Sequence, residues 1–311
     1  MQVHRDINNL PTFKNAAITI GTFDGVHSGH VKIIELLKQE AQSKNGESVI
    51  ITFHPHPRMV VDSEKPSSSN LHLLNTPEEK IELIAKHGVD HLVIVPFTSA
   101  FSEMTADEYI HNFLVAKFHP TTIVIGYDHH FGKGRTGNYK LLEQYAPQLN
   151  YEVKEIPQYV LNHIAISSTK IREAVTNGEI EAANKFLGYK YLLSGIVVDG
   201  DKIGRTLGYP TANIEIGNAY KLIPANGIYV VQCELQERVI NGMLSIGIRP
   251  TVGGTTLRIE VNLLDFNEDI YGCHLKVMLI KYLRPEVKFD GLEALVAQMK
   301  HDEQTTRAYF K

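Results

Sequence analysis

The segment Gly21-Thr-Phe-Asp-Gly-Val-His-Ser-Gly-His30 follows an apolar, strand-like run and leads directly into a helical pattern. This arrangement predicts a strand-to-helix turn. Such a turn attracts phosphate, because the first N–H groups of a helix lack partners and lie at the positive end of its dipole. Gly21, Gly25 and Gly29 allow the backbone to approach a ligand closely. The segment therefore predicts a phosphate-binding loop.

The two histidines of this segment suit charge stabilisation better than nucleophilic attack. If the helix begins near Ser28, His27 and His30 can both face the same bound anion. No serine–histidine–acid order surrounds them, so we expect them to donate hydrogen bonds to charge that builds on a transferring phosphoryl group. His-x-Gly-His alone recurs by chance, whereas the ten residues together are specific.

The sequence around this loop alternates between strand and helix patterns. Predicted strands span 16–23, 48–53, 91–97, 121–126 and 151–156, and predicted helices span 31–42, 77–87, 105–118 and 139–145. The strands are short continuous apolar runs, which is typical of a sheet covered on both faces. The pattern predicts an α/β domain with a doubly wound parallel sheet. Residues 57–75 interrupt it with a polar loop, for which a mobile segment or a lid is one interpretation.

After a helix predicted over 168–186, only strand patterns follow. The six predicted strands span 191–198, 212–216, 227–234, 239–248, 257–264 and 275–282. Glycine, proline and asparagine clusters separate them, which favours a small antiparallel β-barrel. A helix predicted over 292–310 ends the chain. We place the boundary near Gly188, with domains at 1–187 and 188–311.

The composition limits the classes of function. The chain has 311 residues, with 31 Lys plus Arg against 35 Asp plus Glu and no basic stripe, which argues against a nucleic-acid partner. No signal peptide or membrane-length apolar run is evident, so a soluble cytoplasmic protein without a membrane partner is expected. Cys233 and Cys273 are predicted to be reduced, buried thiols. Whether the chain forms a homo-oligomer stays open.

A second phosphate signature is Ile166-Ser-Ser-Thr-Lys-Ile-Arg172. Ser167 or Ser168 can cap a helix, and Lys170 and Arg172 bring positive charge towards phosphates. On its own the segment is explained at least as well by an ordinary capped surface helix. Together with the loop at 21–30, however, it resembles the nucleotidylyltransferase superfamily, whose members join an adenylyl group to a phosphate.

The resemblance narrows with Phe53-His-Pro-His-Pro57 and Gly126-Tyr-Asp-His-His-Phe-Gly-Lys-Gly-Arg-Thr-Gly137. In this order the segments resemble the FMN adenylyltransferase half of the bacterial bifunctional riboflavin kinase/FAD synthetase family. The resemblance implies ATP and phosphate contacts from Gly21, Phe23, Asp24, Gly25, Gly29, Ser167, Ser168 and Thr169. It implies flavin contacts from Pro55, His56, Pro57, Asp128, Phe131 and Arg135.

The histidines of these two segments allow two interpretations. His129 stands where the family usually has an aromatic residue, and His130 and Phe131 are close enough to replace its stacking role. Alternatively, His54, His56, His129 and His130 form a metal cluster. No cysteine or carboxylate completes a plausible ligand set, so pocket histidines are favoured.

The second half carries Gly200-Asp-Lys-Ile-Gly-Arg-Thr-Leu-Gly208, followed by Tyr209-Pro-Thr-Ala-Asn213. The glycine loop lacks the ending of a Walker A motif and alone would suggest a hairpin turn. With Pro-Thr-Ala-Asn it resembles the flavokinase family. The resemblance implies that Gly200, Lys202, Gly204 and Arg205 hold ATP phosphates, and that Thr211 and Asn213 place Mg²⁺, which prefers hard oxygen ligands.

A kinase also needs a base for the attacking hydroxyl, and Glu260 is the candidate. It lies in Arg258-Ile-Glu-Val-Asn-Leu-Leu-Asp-Phe266, which is similar to the family's Glu-x-His segment, with Asn262 in place of histidine. From the pattern alone, a solvent-facing glutamate on an alternating strand is an equally good explanation. Arg249 and Arg284 lie in further matching segments, and the sequence leaves open whether they bind phosphate or pair with acids.

The resemblance implies two reactions: phosphorylation of riboflavin to FMN with MgATP, and adenylylation of FMN to FAD. Riboflavin, FMN, FAD, ATP, ADP and pyrophosphate are then the partners, and Mg²⁺ is the cofactor. One rival hypothesis is an enzyme with a single activity, in which His129 or Asn262 has weakened one site. Another is a flavin sensor without turnover, but such a protein is expected to lack His30 or Glu260.

Overall fold

A computed structural model describes residues 1–61, 71–126, 129–156, 166–200, 204, 207–251 and 254–311, with side chains throughout except at 249–251 and 254–256. The chain packs into two compact units, Met1–Ser168 and Thr169–Lys311. Within the described parts, no helix has the length and apolar character needed to cross a membrane. Residues 62–70 of the predicted polar loop lie outside the described residues.

The first unit contains a parallel sheet, as predicted. Its strands are β1 (Gln2–His4), β2 (Ala17–Ile20), β3 (Ser48–His54), β4 (His91–Pro96), β5 (Thr122–Gly126) and β6 (Glu152–Ile156). They lie in the order β1-β4-β3-β2-β5-β6, and every neighbouring pair is parallel. The sequence missed β1, because this three-residue edge strand has no apolar run and its residues are largely exposed.

The strand order places a crevice at the end of β2. The order turns back between β2 and β5, so the connections that follow these two strands leave the sheet on opposite sides. A ligand in such a sheet binds outside the carboxyl ends at this point. The histidine loop, residues 21–30, begins directly after β2 and therefore lies at the crevice.

Helices connect the strands of the first unit. They are α1 (Ser28–Ser43), α2 (Pro57–Val61), α3 (Pro77–Ala85), α4 (Ser99–Ser102), α5 (Ala106–Glu108), α6 (Ala116–Phe118) and α7 (Tyr139–Leu149). A π-helical stretch, Tyr109–Val115, joins α5 to α6, and Lys133–Arg135 forms a 3₁₀ turn. The predicted start of α3 is confirmed: Thr76 caps it, accepting the N–H of Glu79 at 3.2 Å, and Pro77 follows the cap.

The second unit contains a closed six-stranded barrel, which confirms the predicted architecture. Its strands are β7 (Leu192–Val198), β8 (Ala212–Glu215), β9 (Gly227–Leu235), β10 (Arg238–Thr251), β11 (Gly254–Leu263) and β12 (His274–Arg284). They close in the order β10-β11-β8-β7-β12-β9, and the paired neighbours are antiparallel. Both thiols are free, as predicted, but only Cys233 is buried, whereas Cys273 is half-buried.

Among the described residues, this unit contains the helices α8 (Ser168–Thr176), α9 (Ile180–Leu187) and α10 (Leu292–Tyr309), and α8 begins at the last residue of the first unit. The single helix predicted over 168–186 is wrong. Gly178, at φ +77°, breaks it in two.

The helix α9 packs on the barrel through Asn184. Its side-chain amide donates to the carbonyl of Leu279 at 2.9 Å and accepts the N–H of Tyr191 at 2.7 Å. The two compact units divide between residues 168 and 169. The boundary predicted near Gly188 lies after α9, so the second unit begins earlier than the sequence indicated. The functional boundary at 187/188 stays a prediction.

We predict that Asn184→Ala lowers the free energy of unfolding of the second unit by about 2 kcal/mol. The substitution leaves an N–H on Tyr191 and a carbonyl on Leu279 without their partner, and both residues are fully buried. Urea unfolding of the full chain, followed by circular dichroism, measures the change. Asn177→Ala, at an exposed position between the two helices, serves as the control and should change little. Equal shifts in the two variants would contradict the role of Asn184.

Candidate functional site

The histidine loop has an unusual backbone. Phe23 and Val26 adopt positive φ angles of 47° and 34°, and Gly25 between them has φ 88°. Left-handed conformations are unfavourable for residues with a β-carbon and persist where the surrounding structure enforces them, often at functional sites. The ring of Phe23 is buried against Gly21, where a β-carbon would approach it to 3.1 Å. The backbone of the histidine loop therefore turns tightly, with Phe23 packed on Gly21.

One end of the loop is held through the carbonyl of Thr22. This carbonyl accepts a hydrogen bond from Lys80 Nζ at 2.7 Å and another from Thr52 Oγ1 at 3.1 Å. Lys80 lies on α3 and Thr52 on β3, so two separate elements meet the loop at one atom. The sequence analysis missed Lys80. The signal it offered was a lone lysine in the first turns of an amphipathic helix, which is also typical of an ordinary surface helix.

The middle of the loop is held through Asp24. Its carboxylate is 2% exposed and accepts the N–H groups of Leu74 and Asn75 at 2.9 and 3.4 Å. Its backbone carbonyl accepts a hydrogen bond from Ser168 Oγ at 2.8 Å. The carboxylate of Asp24, predicted to be among the phosphate contacts, thus holds backbone donors. Ser168 joins the two predicted phosphate signatures within the first unit.

His27 and His30 lie together at the start of α1, which begins at Ser28, three residues before the helix predicted over 31–42. His27 caps the helix: its Nδ1 accepts the N–H of His30 at 3.3 Å. The two rings stack with centroids 3.7 Å apart. Gly29 permits this arrangement, because a β-carbon there would approach the His27 ring to 3.1 Å.

Burial keeps both imidazole rings neutral. It lowers the pKa of His27 to about 4. The pKa of His30 lies well below its usual value because of burial, with smaller contributions from His27 and Lys80. Within the described chain no group hydrogen-bonds to His30 Nδ1, although that atom is buried. The stacked pair therefore presents neutral rings with an unused ring nitrogen at the start of a helix, which suits a phosphate ligand.

The other residues of the second phosphate signature lie around the start of α8. Ser167, Thr169 and Lys170 are exposed, and Arg172 is half-buried. Lys170 and Arg172 belong to the second compact unit, whereas Ser167 belongs to the first.

The predicted flavin contacts occupy different environments. Pro55 and Arg135 are exposed and Pro57 is half-buried, while His56 is 9% exposed and accepts the N–H of Arg58 at the start of α2. Phe131 is 6% exposed and stacks on Tyr109 at 5.0 Å, so its ring is part of the hydrophobic core. Asp128 lies outside the described residues.

A group of aromatic rings that the sequence analysis missed lies where β3 and β4 end. Phe53, Phe97 and Phe101 are half-buried and contact one another with centroids 5.4 to 5.7 Å apart. Aromatic residues just after two neighbouring parallel strands were the available signal. The alternative of a metal cluster finds no support in the described residues, where no group of three or more His, Cys, Asp or Glu side chains is placed to hold an ion.

The barrel contains a cavity of about 390 Å³ that brings together most of the predicted kinase residues. Gly204, Thr211, Asn213 and Glu260 all line it. Glu260 on β11 pairs directly with Asn213 on β8. The Oδ1 atom of Asn213 is buried and has no hydrogen-bond partner among the residues that the structure describes. An unsatisfied buried oxygen beside a carboxylate is the kind of donor set that a hard cation needs.

The glycine loop packs against Pro-Thr-Ala-Asn. A β-carbon on Gly200 would collide with the side-chain amide of Asn213, and one on Gly204 would collide with the carbonyl of Tyr209. Glycine is thus required at both positions by close packing. Lys202 and Arg205, the predicted phosphate contacts between and after them, lie outside the described residues.

Asn262, which stands in place of the family's histidine, holds this segment from the other side. Its side chain is 8% exposed and donates to the carbonyl of Pro210 at 2.8 Å. Thr211 therefore follows a residue anchored to the strand that carries Glu260. The substitution keeps a hydrogen-bond donor at this point of the cavity.

The sequence left open whether Arg284 binds phosphate or pairs with an acidic residue, and in the structure it pairs with an acidic residue. Its guanidinium contacts the carboxylate of Asp302 on α10 at 2.7 Å, and the carboxylate is almost fully buried. Both residues line the cavity, so the ion pair forms part of its wall. The sequence analysis missed Asp302, because its partner lies on another element. The side chain of Arg249 lies outside the described residues.

Comparison with known proteins assigns both halves of the chain. The FAD synthetase family model matches residues 10–170, and the riboflavin kinase family model matches residues 187–310. A bifunctional riboflavin kinase/FMN adenylyltransferase from Listeria monocytogenes is 42% identical over 298 residues, which cover 95% of this chain and 93% of that protein. The Escherichia coli protein of the same name is 34% identical, with 100% and 98% covered.

A solved structure matches the whole chain as well. It is described as a macrolide-efflux protein from Streptococcus pneumoniae, is 31% identical and has a TM-score of 0.87, covering 98% of both chains.

We predict that protonation of His27 lowers the free energy of unfolding as the pH falls from about 6.5 to about 4. The unfolded chain protonates this histidine near its ordinary value of 6.5, whereas the folded chain resists protonation down to about 4. The unfolded state therefore binds more protons in this range, and the free energy of unfolding falls by about 2 kcal/mol by pH 5.

His27→Asn tests this, because asparagine keeps the capping acceptor but does not titrate. Urea unfolding at several pH values should show a flatter pH dependence for His27→Asn than for the unmodified chain. His119→Asn, at an exposed position with φ 43°, is the control for the substitution itself. A His27→Asn variant with the original pH dependence would rule the effect out.

Proposed function

The chain belongs to the bifunctional riboflavin kinase/FMN adenylyltransferase family, and we propose which of its residues carry each of the two reactions. Riboflavin is phosphorylated by ATP to FMN, and FMN is adenylylated by ATP to FAD with release of pyrophosphate. This activity replaces the rival hypotheses of a single-activity enzyme and of a flavin sensor. The residue assignments below are proposals.

Adenylyl transfer takes place at the histidine loop. The phosphate of FMN is already an anionic nucleophile, so it forms a bond to the α-phosphorus of ATP as the bond to pyrophosphate breaks, and no base is needed. The reaction is difficult because the phosphate of FMN and the triphosphate of ATP are both negatively charged and repel each other. The neutral, stacked rings of His27 and His30 and the N–H groups at the start of α1 support a role in stabilising the charge.

The ATP triphosphate lies along the closed backbone of this loop, at Phe23, Gly25 and Gly29. The hydrogen bond from Ser168 to Asp24 supports a place for Ser167 next to the same phosphates. The assignment of Thr169 to them comes from the family resemblance. The assignment of Lys170 and Arg172 to the phosphates rests on the motif alone. Asp24 acts through its position, by holding the loop.

The flavin ring of FMN binds at the carboxyl ends of β3 and β4. The half-buried rings of Phe53, Phe97 and Phe101 form an apolar surface there that suits a flat aromatic ligand. His56 and the two prolines beside it lead away from the same strand. Phe131 stacks on Tyr109, whose ring contacts Phe101 at 5.9 Å. Flavin contacts from Phe131, Asp128 and Arg135 stay predictions.

Phosphorylation of riboflavin takes place in the barrel cavity. Glu260 takes the proton from the primary hydroxyl of the ribityl chain as that oxygen attacks the γ-phosphorus of ATP and ADP leaves. The pairing of Glu260 with Asn213 inside one cavity is the observation that carries this assignment. A carboxylate there can reach both the hydroxyl and the phosphate-binding segment.

Enzymes of these two ATP-using families generally need a divalent metal, and we assign Mg²⁺ to the barrel site. Asn213 Oδ1 and the hydroxyl of Thr211 would hold it, since both are hard oxygen donors on one cavity wall. The ion would neutralise charge on the ATP phosphates. A cytoplasmic location and self-association into a homo-oligomer stay predictions.

We predict that the two activities can be removed separately. Glu260→Gln should abolish FMN formation from riboflavin, because the amide cannot take a proton, while FAD still forms from supplied FMN. His30→Ala should do the reverse. Chromatographic analysis of products from riboflavin or FMN with ATP and Mg²⁺ measures both activities. Glu215→Gln, an exposed glutamate on β8, is the matched control. Loss of both activities in each folded variant would contradict the two-site assignment.

We predict that Asn213→Ala raises the Mg²⁺ concentration needed for half-maximal FMN formation by about tenfold or more, since one of its oxygen ligands is lost. FAD formation by the same variant should keep its Mg²⁺ requirement. Metal titrations of the two reactions in one preparation make the comparison. If the requirement for FMN formation does not change, Asn213 is not a ligand of the metal.

A further inference from the structure

Lys80 lies outside every motif that identified the adenylyltransferase, yet its side chain reaches the histidine loop. It projects from the first turns of α3, donates to the carbonyl of Thr22 at 2.7 Å and lies 3.5 Å from Thr52 Oγ1. Thr22 lies 58 residues away in the chain. The amine is thus placed at the entrance of the loop by the fold alone.

The position of Lys80 relative to the loop is fixed by a second link. The carboxylate of Asp24 accepts the N–H groups of Leu74 and Asn75, which immediately precede α3. Thr76 and Glu79 then form the capping box that starts the helix. The contact of Asp24 with the residues before α3 and the hydrogen bond from Lys80 to Thr22 therefore hold the amine in place before any ligand binds. The amine is a preorganised charge.

A charge at this position is not needed to hold the loop. The Thr22 carbonyl already accepts a hydrogen bond from Thr52, and a neutral side chain could supply a second donor. Burial lowers the pKa of Lys80, while the nearby carboxylate of Asp24 raises it. The charged form is therefore disfavoured by burial, and an anion binding nearby would relieve this penalty.

The same charge acts on the histidine that faces the ligand. Among the described residues, His27 and Lys80 are the charged or titratable groups that act on His30, and Asp24 in turn acts on Lys80. Burial lowers the pKa of His30 most, and His27 and Lys80 lower it further. The positive charge at the loop thus lies on one fixed amine, which adds to the effect of burial in keeping His30 a neutral hydrogen-bonding group.

We propose that Lys80 is a positioning residue for adenylyl transfer, whose ammonium group holds the Thr22 carbonyl and draws the ATP triphosphate onto the histidine loop. This inference rests on the proposed placement of ATP at that loop. It predicts that the affinity for ATP depends on the charge at position 80, whereas the affinity for FMN does not.

The test compares Lys80→Gln and Lys80→Arg in the full chain. Glutamine keeps a donor for Thr22 without the charge, and arginine keeps the charge. With FMN as the flavin, ATP and FMN are varied in turn while FAD is measured. Lys80→Gln should raise the KM for ATP at least about tenfold and change the KM for FMN less than about twofold, since the lost interaction is with the triphosphate. Lys80→Arg should restore most of the ATP affinity.

Three controls accompany these variants. Lys86→Gln, at an exposed position just after the same helix, should leave both KM values unchanged. FMN formation from riboflavin, carried by the other unit, should stay unchanged and shows that the second unit is intact. Hydrogen exchange of the amides of Leu74 and Asn75 reports whether the loop is still held.

Each outcome decides the proposal. The proposal is overturned if Lys80→Gln has the same KM for ATP as Lys80→Arg, or if Lys80→Gln raises the KM values for ATP and FMN together. It is also overturned if both variants lose FAD formation together with the protection of the Leu74 and Asn75 amides. His30→Ala is measured in parallel. If His30→Ala still forms FAD, the placement of ATP at this loop is wrong. If His30→Ala is inactive but Lys80→Gln is normal, only the inference about Lys80 fails.

Discussion

The closed conformation of the histidine loop is the constraint on which the first unit depends. Two residues with side chains, Phe23 and Val26, are held at positive φ, each at a cost on the order of 1–2 kcal/mol. Hydrogen bonds from Thr52, Lys80 and Ser168 and the buried carboxylate of Asp24 offset this cost. These partners come from separate segments, so the loop keeps its shape only in the folded unit. That shape places the start of α1 and its two histidines at the crevice.

The two reactions pose different electrostatic problems, and the two units answer them differently. Adenylyl transfer joins two anions, and the first unit offers a helix start, neutral imidazoles and a fixed amine. Phosphorylation starts from a neutral hydroxyl, and the barrel cavity offers a carboxylate, Glu260, next to oxygen donors on Thr211 and Asn213. A base is of no use at the first site and necessary at the second.

Several features of the fold were accessible from local sequence patterns, and others were not. The start of α3 at Pro77 follows from short-range rules, and the structure confirms it. The edge strand β1 carries no such pattern, because only backbone pairing with β4 makes it a strand. The break at Gly178 lay inside a helical pattern, and the packing of α9 on the barrel through Asn184 is a contact between distant residues.

The sequence by itself determined the two architectures, the order of the motifs and the family to which the chain belongs, because strand and helix periodicity and motif spacing are local properties. Only the tertiary structure decided which side chains meet. It pairs Arg284 with Asp302, commits Phe131 to the core, turns the carboxylate of Asp24 towards backbone N–H groups and brings Lys80 to Thr22. It also makes His27 and His30 neutral, since a pKa depends on burial and on charges contributed by distant segments of the folded chain.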